Sequence, residues 1–326
     1  MSTDSRLRAL FALFAAVVLA LGVVACGGDD DDDNGDGGEA SADLIEENPD
    51  NNGVQVTVGS KNFTEQFILG EIYAQALEAA GYDVSTDLNL GSEVIALRAL
   101  EDGEIDAYPE YTSTALTSFF DIPPEDVPAD AQQAEDDTQA EFEELGLTAF
   151  PPTPFESANA VGLLTETADE LGVSSISDLD GQSEDLTLYG SPECRQRVDC
   201  LVGLEDNYGL QFEDFTPVDI GLRYQVLDRG DADLSILFTT DAQLAESDKY
   251  TILEDDQSLL PAGNVLFVAR TETVDEAGPD FSETVESVQE NLTLEVMQEL
   301  NARVDIDREK PEEAAQAYLQ EFGYIE

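Results

Sequence analysis

The chain has 326 residues, long enough for two domains, and a hydrophobic share of 42% that supports ordinary buried cores. Thirteen basic against 73 acidic residues leave a formal charge of −60, with no histidine and no tryptophan. That balance excludes nucleic acid and anionic membrane surfaces as partners by charge attraction, and the missing histidine excludes Ser–His and Cys–His catalysis. Such a surface repels itself in dilute buffer, whereas near 1 M salt the Debye length is about 3 Å. The charge therefore points to a protein that works in strong brine.

Taken in chain order, residues 9–25 form an uncharged apolar run that follows Arg6 and Arg8 and stops at Cys26. The run is short for a membrane-spanning helix and fits the charged and apolar parts of a secretory signal. V-V-A-C at its end resembles the bacterial lipobox, so residues 1–26 read as a lipoprotein signal peptide with Cys26 as the lipidated residue; the alternative is a plain transmembrane anchor. Residues 27–52 are polar, glycine-rich and like-charged, which predicts a disordered acidic tether. Asp30, Asp32, Asn34 and Gly35 mimic the start of an EF-hand loop, but position twelve is Ser41, so no metal is expected there.

Residues 54–59 (V-Q-V-T-V-G) alternate and predict a strand. A helix over 66–80 closes at Gly81, a strand over 83–90 follows, Ser92 caps a helix over 93–100, and 105–108 is a third strand. Residues 129–145 read as helical and lead to Pro151, Pro152 and Pro154, a stiff crossing between domains. A second pattern of the same kind then begins, with strands at 159–164, 186–190 and 233–238, a short helix at 166–171 and a capped turn at S-I-S-D-L. A strand at 264–269 runs back out of it, and 281–322 is helical. Strands alternating with helices predict an α/β fold.

With Cys26 assigned to lipid, Cys194 and Cys200 remain, five residues apart in between. An exported chain can keep disulfides, and a bridge here pins a short loop, contributing about 2 kcal/mol. Two cysteines without histidine are too few ligands for zinc.

Residues 100–114 and 227–241 share a pattern, with Leu100/Leu227, Gly103/Gly230, Asp106/Asp233, Tyr111/Phe238 and Thr112/Thr239 at identical spacing. In each, an amphipathic helix ends at glycine and a strand leads to an aromatic–hydroxyl pair. Strand ends are where open α/β sheets hold ligands, so the pattern suggests two lobes closing on one small molecule.

G-S-K-N-F-T-E-Q (59–66), N-L-G-S (89–92), A-L-E-D-G-E-I-D-A-Y-P-E-Y-T-S-T (99–114), S-D-L (177–179), G-S-P-E-C (190–194) and F-T-T-D (238–241) resemble the osmoprotectant-binding proteins. These are the glycine betaine, carnitine and choline receptors of ABC importers, and the likeness spans residues 54–323. It implies a two-lobed type II periplasmic-binding-protein fold with two hinge strands and a ligand cleft. Residues 53–156 and 267–326 would form one lobe and 157–266 the other. It further implies a non-enzymatic, monomeric solute receptor without cofactor or metal. Such a receptor faces outward from the cell membrane, held by lipid on Cys26, and delivers its solute to a permease driven by an ATPase. Another small polar ligand such as an amino acid, or a sensor without a transport role, are the alternatives.

In that family a quaternary ammonium sits among aromatic rings, where cation–π attraction replaces lost hydration, and the ligand carboxylate meets basic and hydroxyl donors. The resemblance assigns Tyr111 to the cage, Thr114 to its hydroxyl, Lys61 and Gln66 to polar contacts and Arg197 to the carboxylate. Phe238 stands where another cage tyrosine is expected, while Asn159 and Gly263 replace two more. At about 1–2 kcal/mol per ring, losing two weakens betaine binding by roughly tens- to thousands-fold or shifts preference to a more polar solute that uses Asn159. From the charge alone, the thermal midpoint is expected to climb steeply between low and molar salt; a flat response in a salt series would remove the brine reading.

Overall fold

The computed structural model describes residues 44–326. Cys26, the apolar run before it and the start of the acidic stretch lie outside the described residues. Strand β1 (Gln55–Gly59) realises the valine alternation: Val56 and Val58 are fully buried and Gln55 is exposed. The helix Thr64–Ala79 starts two residues earlier than its apolar periodicity suggests, because the Phe67 amide already closes a turn on the Phe63 carbonyl at 3.2 Å. It buries Ile68, Ile72 and Ala76 beside Leu69, Tyr73 and Leu77, two rows four residues apart that form one face. Strand β2 (Asp83–Asp87) stops short of Leu90, since Asn89 takes a left-handed conformation at φ 65°.

Strand β3 (Ala107–Tyr111) continues through Pro109, where sequence reasoning ended it. The register explains why proline is tolerated. β3 pairs with β1 only at Val58↔Ala107, and Arg270 N donates to Asp106 O at 3.0 Å, which makes alternate residues 108 and 110 the bonded ones across the other edge. The nitrogen of Pro109 thus faces the side that β1 has already left. β4 (Leu147–Ala149) and β5 (Glu156–Ser157) complete the first passage through this half of the molecule.

The chain then builds β6 (Asn159–Leu164), β7 (Thr187–Gly190), β8 (Asp214–Pro217), β9 (Leu234–Phe238) and β10 (Tyr250–Ile252), and returns in β11 (Gly263–Arg270). The first sheet runs β2-β1-β3-β11-β4, with β5 paired to the start of β11; the second runs β10-β6-β9-β7-β8. Both are open and mixed: β1 is parallel to β2 and β3, β7 is parallel to β8 and β9, and β11 and β6 are antiparallel to their neighbours. The two passages between the sheets lie side by side, where Gly263 pairs with Ser157 and Asn264 with Glu156. The carboxy-terminal helices Pro279–Gln289, Leu294–Asp305 and Pro311–Glu321 pack on Thr64–Ala79 and share its core through Phe281, Met297 and Tyr318. A separate core around Val161, Leu188, Leu204 and Ile236 holds the second sheet. Among the described residues, no helix is long and apolar enough to cross a membrane.

The paired segments are equivalent in three dimensions. Gly103 and Gly230 both adopt left-handed φ, 71° and 68°, ending the helices Glu93–Glu101 and Arg223–Arg229. Asp106 then accepts from the Thr57 amide and Asp233 from the Thr187 amide, each at 2.8 Å, tying the incoming strand to its parallel neighbour. Tyr111 and Phe238 end the two strands.

Cys194 and Cys200 form a disulfide with a Cα–Cα separation of 5.2 Å, and both are buried. The helix Leu201–Asp206 that follows lacks a strong sequence signature; Gly203 seats it. A Cβ at Gly203 would lie 2.1 Å from the Val198 carbonyl oxygen and 2.3 Å from Leu259. Gly203→Ala is therefore expected to destabilise the protein by about 1–3 kcal/mol, read as a lower denaturant midpoint with an unchanged slope.

Candidate functional site

The turn after β1 carries Lys61, and the end of β3 brings Glu110 to it. Both are buried, and their side chains form an ion pair. Glu110 also accepts from the Tyr108 hydroxyl at 3.1 Å and from the Tyr111 amide at 2.7 Å. Burial pulls the Lys61 ammonium below its ordinary pKa, and Glu110 opposes that shift. The ammonium lies 4.5 Å from the centroid of the Tyr111 ring and 6.0 Å from that of Phe63. The Tyr111 hydroxyl donates to Glu65 at 2.6 Å. Burial, reinforced by that carboxylate, keeps the phenol protonated far above its usual range. Burial also raises Glu65.

The second sheet supplies the facing wall. Register places Asn159 on β6 opposite Phe238 on β9. The Arg223 guanidinium lies 4.0 Å from the Phe238 ring centroid and donates to Asp241 at 2.9 Å. Arg197 projects from the disulfide loop, pairs side-on with Asp199 through Nε and Nη2, and has Nη1 3.5 Å from Glu93 of the first lobe. Burial lowers the affinity of that guanidinium for its proton, but Asp199 and then Glu93 more than offset it.

These residues converge on one cleft between the sheets, holding about 820 Å³ of space unfilled by atoms, its mouth included. Of the residues expected from the sequence, Lys61, Tyr111, Thr114, Asn159, Arg197 and Phe238 all line it. Gln66 does not. It is fully buried behind the wall, and its Oε1 accepts from the Lys61 amide at 3.2 Å, so it shapes the turn that presents Lys61. Asn159 lines the cleft with its amide nitrogen committed to the Asp199 carbonyl at 3.1 Å, which ties the disulfide loop to β6. Gly263 is not a vacated ring position: a Cβ there would meet Ser113 Oγ at 2.4 Å and the Ser113 amide at 2.6 Å. Backbone packing at the crossing leaves no room for any side chain.

Sequence reasoning missed Phe63 and Arg223. Phe63 joins the other rings, 6.3 Å from Tyr111 at an interplanar angle of 22° and 5.1 Å from Phe238 at 52°. Its signal was present in G-S-K-N-F-T-E-Q, where the polar positions drew attention instead. Arg223 begins a helix that read as amphipathic, and only the fold turns it toward Phe238. Aromatic faces beside fixed charges can hold a small cation or zwitterion by cation–π attraction and charge-assisted hydrogen bonds. Among the described residues there is no cluster of His, Cys, Asp or Glu able to hold a metal ion.

Residues 54–321 match the family described as the substrate binding domain of the ABC-type glycine betaine transport system. The glycine-betaine-binding protein of Pseudomonas aeruginosa PAO1 is 34% identical over 280 residues, which are 82% of this chain and 88% of that protein. The ergothioneine transport permease/ergothioneine binding protein of Helicobacter pylori G27 is 28% identical over 86% of this chain, which spans only 48% of that longer protein. A crystal structure of a glycine betaine/carnitine/choline ABC transporter superposes with a TM-score of 0.65 at 26% identity, covering 83% of this chain and 100% of the other. Two open mixed sheets, an aromatic cleft between them and a match over nearly all described residues agree: the chain belongs to the substrate-binding family of ABC-type glycine betaine transport systems, which are solute receptors and not enzymes.

Proposed function

We propose that this protein is the lipid-anchored, extracytoplasmic receptor of an ABC importer, binding a glycine betaine-like osmoprotectant and handing it to the permease. The observation that carries this reading is the convergence of Phe63, Tyr111 and Phe238 with Lys61, Arg197 and Arg223 in one cleft between two sheets. Tyr111 and Phe63 offer the quaternary ammonium its π-faces, Thr114 a hydroxyl, and the arginines a partner for a carboxylate. Phe63 supplies a ring beyond those assigned by resemblance, so Asn159 in place of a tyrosine weakens the cage less than that replacement alone implies.

The remaining parts of the proposal rest on sequence. Cys26 after its apolar run supplies the lipid anchor, and the acidic stretch to residue 52 the tether. Residues 53–156 with 267–326, and 157–266, form the two lobes that close as a monomer. The charge of −60 suits an outer surface bathed in brine, where import of compatible solutes matters most. Calorimetric titration of the full chain in about 2 M salt, where self-repulsion is screened, is expected to show binding of at least one of glycine betaine, carnitine, choline, ectoine and ergothioneine. Silence across that panel would sink the osmoprotectant reading. Tyr111→Ala is expected to weaken whatever binds by at least about tenfold, and an unchanged affinity would place the site elsewhere.

A further inference from the structure

The F-T-T-D segment at the end of β9 is gripped from two sides. On one side it meets the first crossing between the sheets. The Thr239 amide donates to the Ala158 carbonyl at 3.1 Å, the Ala158 amide donates to the Thr239 hydroxyl at 3.0 Å, and the hydroxyls of Thr240 and Ser157 lie 3.2 Å apart. On the other side it meets the helix Leu294–Asp305 of the first lobe. Gln298 and Asn301 stand three residues apart and so share one face of that helix. Gln298 Nε2 donates to the Thr239 carbonyl at 3.4 Å and Asn301 Nδ2 to the Thr240 carbonyl at 3.0 Å. Two consecutive carbonyls of the second lobe are thus held by two side chains of the first.

Asn301 makes the shorter and more deeply buried of these contacts, at 3% exposure. Its nitrogen also donates to Glu65 Oε2 at 3.0 Å, and the other oxygen of Glu65 accepts from the Tyr111 hydroxyl at 2.6 Å. Both N–H groups of the amide are therefore spent, one on each lobe. Its Oδ1 is buried without a partner among the described residues, which is unfavourable. Moving the lobes apart breaks the bond to Thr240 and uncovers Asn301, so that water reaches both atoms. The loss on one side of the amide is offset by hydration of the other, and two arrangements close in energy are what a ligand can shift between.

We infer that Asn301, assisted by Gln298, is a latch between the lobes. It holds the second lobe against the first in the arrangement in which Tyr111 and Phe238 share one cleft, and through Glu65 it couples that arrangement to the position of the Tyr111 ring. Asn301 touches no solute in this role; it acts by positioning. Its consequence, slower release of bound solute, rests on the receptor reading above, whereas the latch itself is a property of the unliganded chain.

Two measurements test it in the full chain. One is the distance distribution between labels at positions 145 and 252, exposed sites on the first and second lobes, without solute. The other is the dissociation rate of glycine betaine, or of whichever member of the panel binds, by stopped flow. In Asn301→Ala the distances are expected to broaden toward longer separations, and dissociation to quicken by about 3- to 10-fold with association nearly unchanged. Asn301→Asp keeps the volume but cannot donate and sets a carboxylate beside Glu65, so its effect is expected to exceed that of alanine. Gln298→Ala, at a half-buried position, is expected to shift both quantities less, and it carries the comparison if the Asn301 variants do not fold. Loss of stability alone would lower the thermal midpoint and leave the distances in place. Unchanged distances in the folded variants overturn the latch, whether or not a solute binds. Longer distances with an unchanged dissociation rate overturn its link to release. Longer distances in a chain that binds no member of the panel keep the latch and remove the receptor reading.

Discussion

A cation taken out of water needs a carboxylate beside it, and the cleft is organised around that requirement. Lys61, Arg197 and Arg223 are three of only 13 basic residues in the chain, and each meets acid there: Glu110, Asp199 with Glu93, and Asp241. Such pairs add little net stability, because desolvation consumes most of the Coulomb attraction, yet removing one partner costs about 3–5 kcal/mol. They therefore act as positional constraints. Lys61 is held over Tyr111 and Arg223 over Phe238, so the charges that must be neutralised also set the orientation of the rings.

The same chemistry links the lobes. Tyr111 donates to Glu65, Asn301 donates to the other oxygen of Glu65 at 3.0 Å, and the same Asn301 nitrogen donates to the Thr240 carbonyl of the second lobe at 3.0 Å. A ring on the cleft wall is thus connected through two buried side chains to the segment that follows Phe238. Across the crossing itself, the Ser157 and Thr240 hydroxyls lie 3.2 Å apart. Separating the lobes breaks a handful of bonds, each worth about 1 kcal/mol net.

Much of this architecture was legible in linear order because it follows from local rules. Valine alternation marked β1, glycine and aspartate punctuation marked the paired helix–strand units, and the close spacing of Cys194 and Cys200 marked the bridge. Short strands such as β4, β8 and β10 were not legible, since three or four residues carry no periodicity and are held by their neighbours. Pro109 argued against the end of β3 until the register showed that its missing N–H falls on an unpaired edge. Gly263 looked like a lost aromatic ring, and only the approach of Ser113 identified it as a place where backbone must fit.

The linear sequence by itself determined the α/β class, the two equivalent strand ends and most of the residues that meet in the cleft, because periodicity, turn chemistry and short motifs are properties of neighbours along the chain. Tertiary structure alone decided which charges oppose which. Glu110 with Lys61, Glu93 with Arg197 and Asp241 with Arg223 are 49, 104 and 18 residues apart; the first and last pairs are brought together by the strand order within one half of the molecule each, and Glu93 with Arg197 by the meeting of the two halves. In a chain with 73 acidic residues, composition cannot single out the few carboxylates that matter; burial does, because only away from water does a charge need a particular partner.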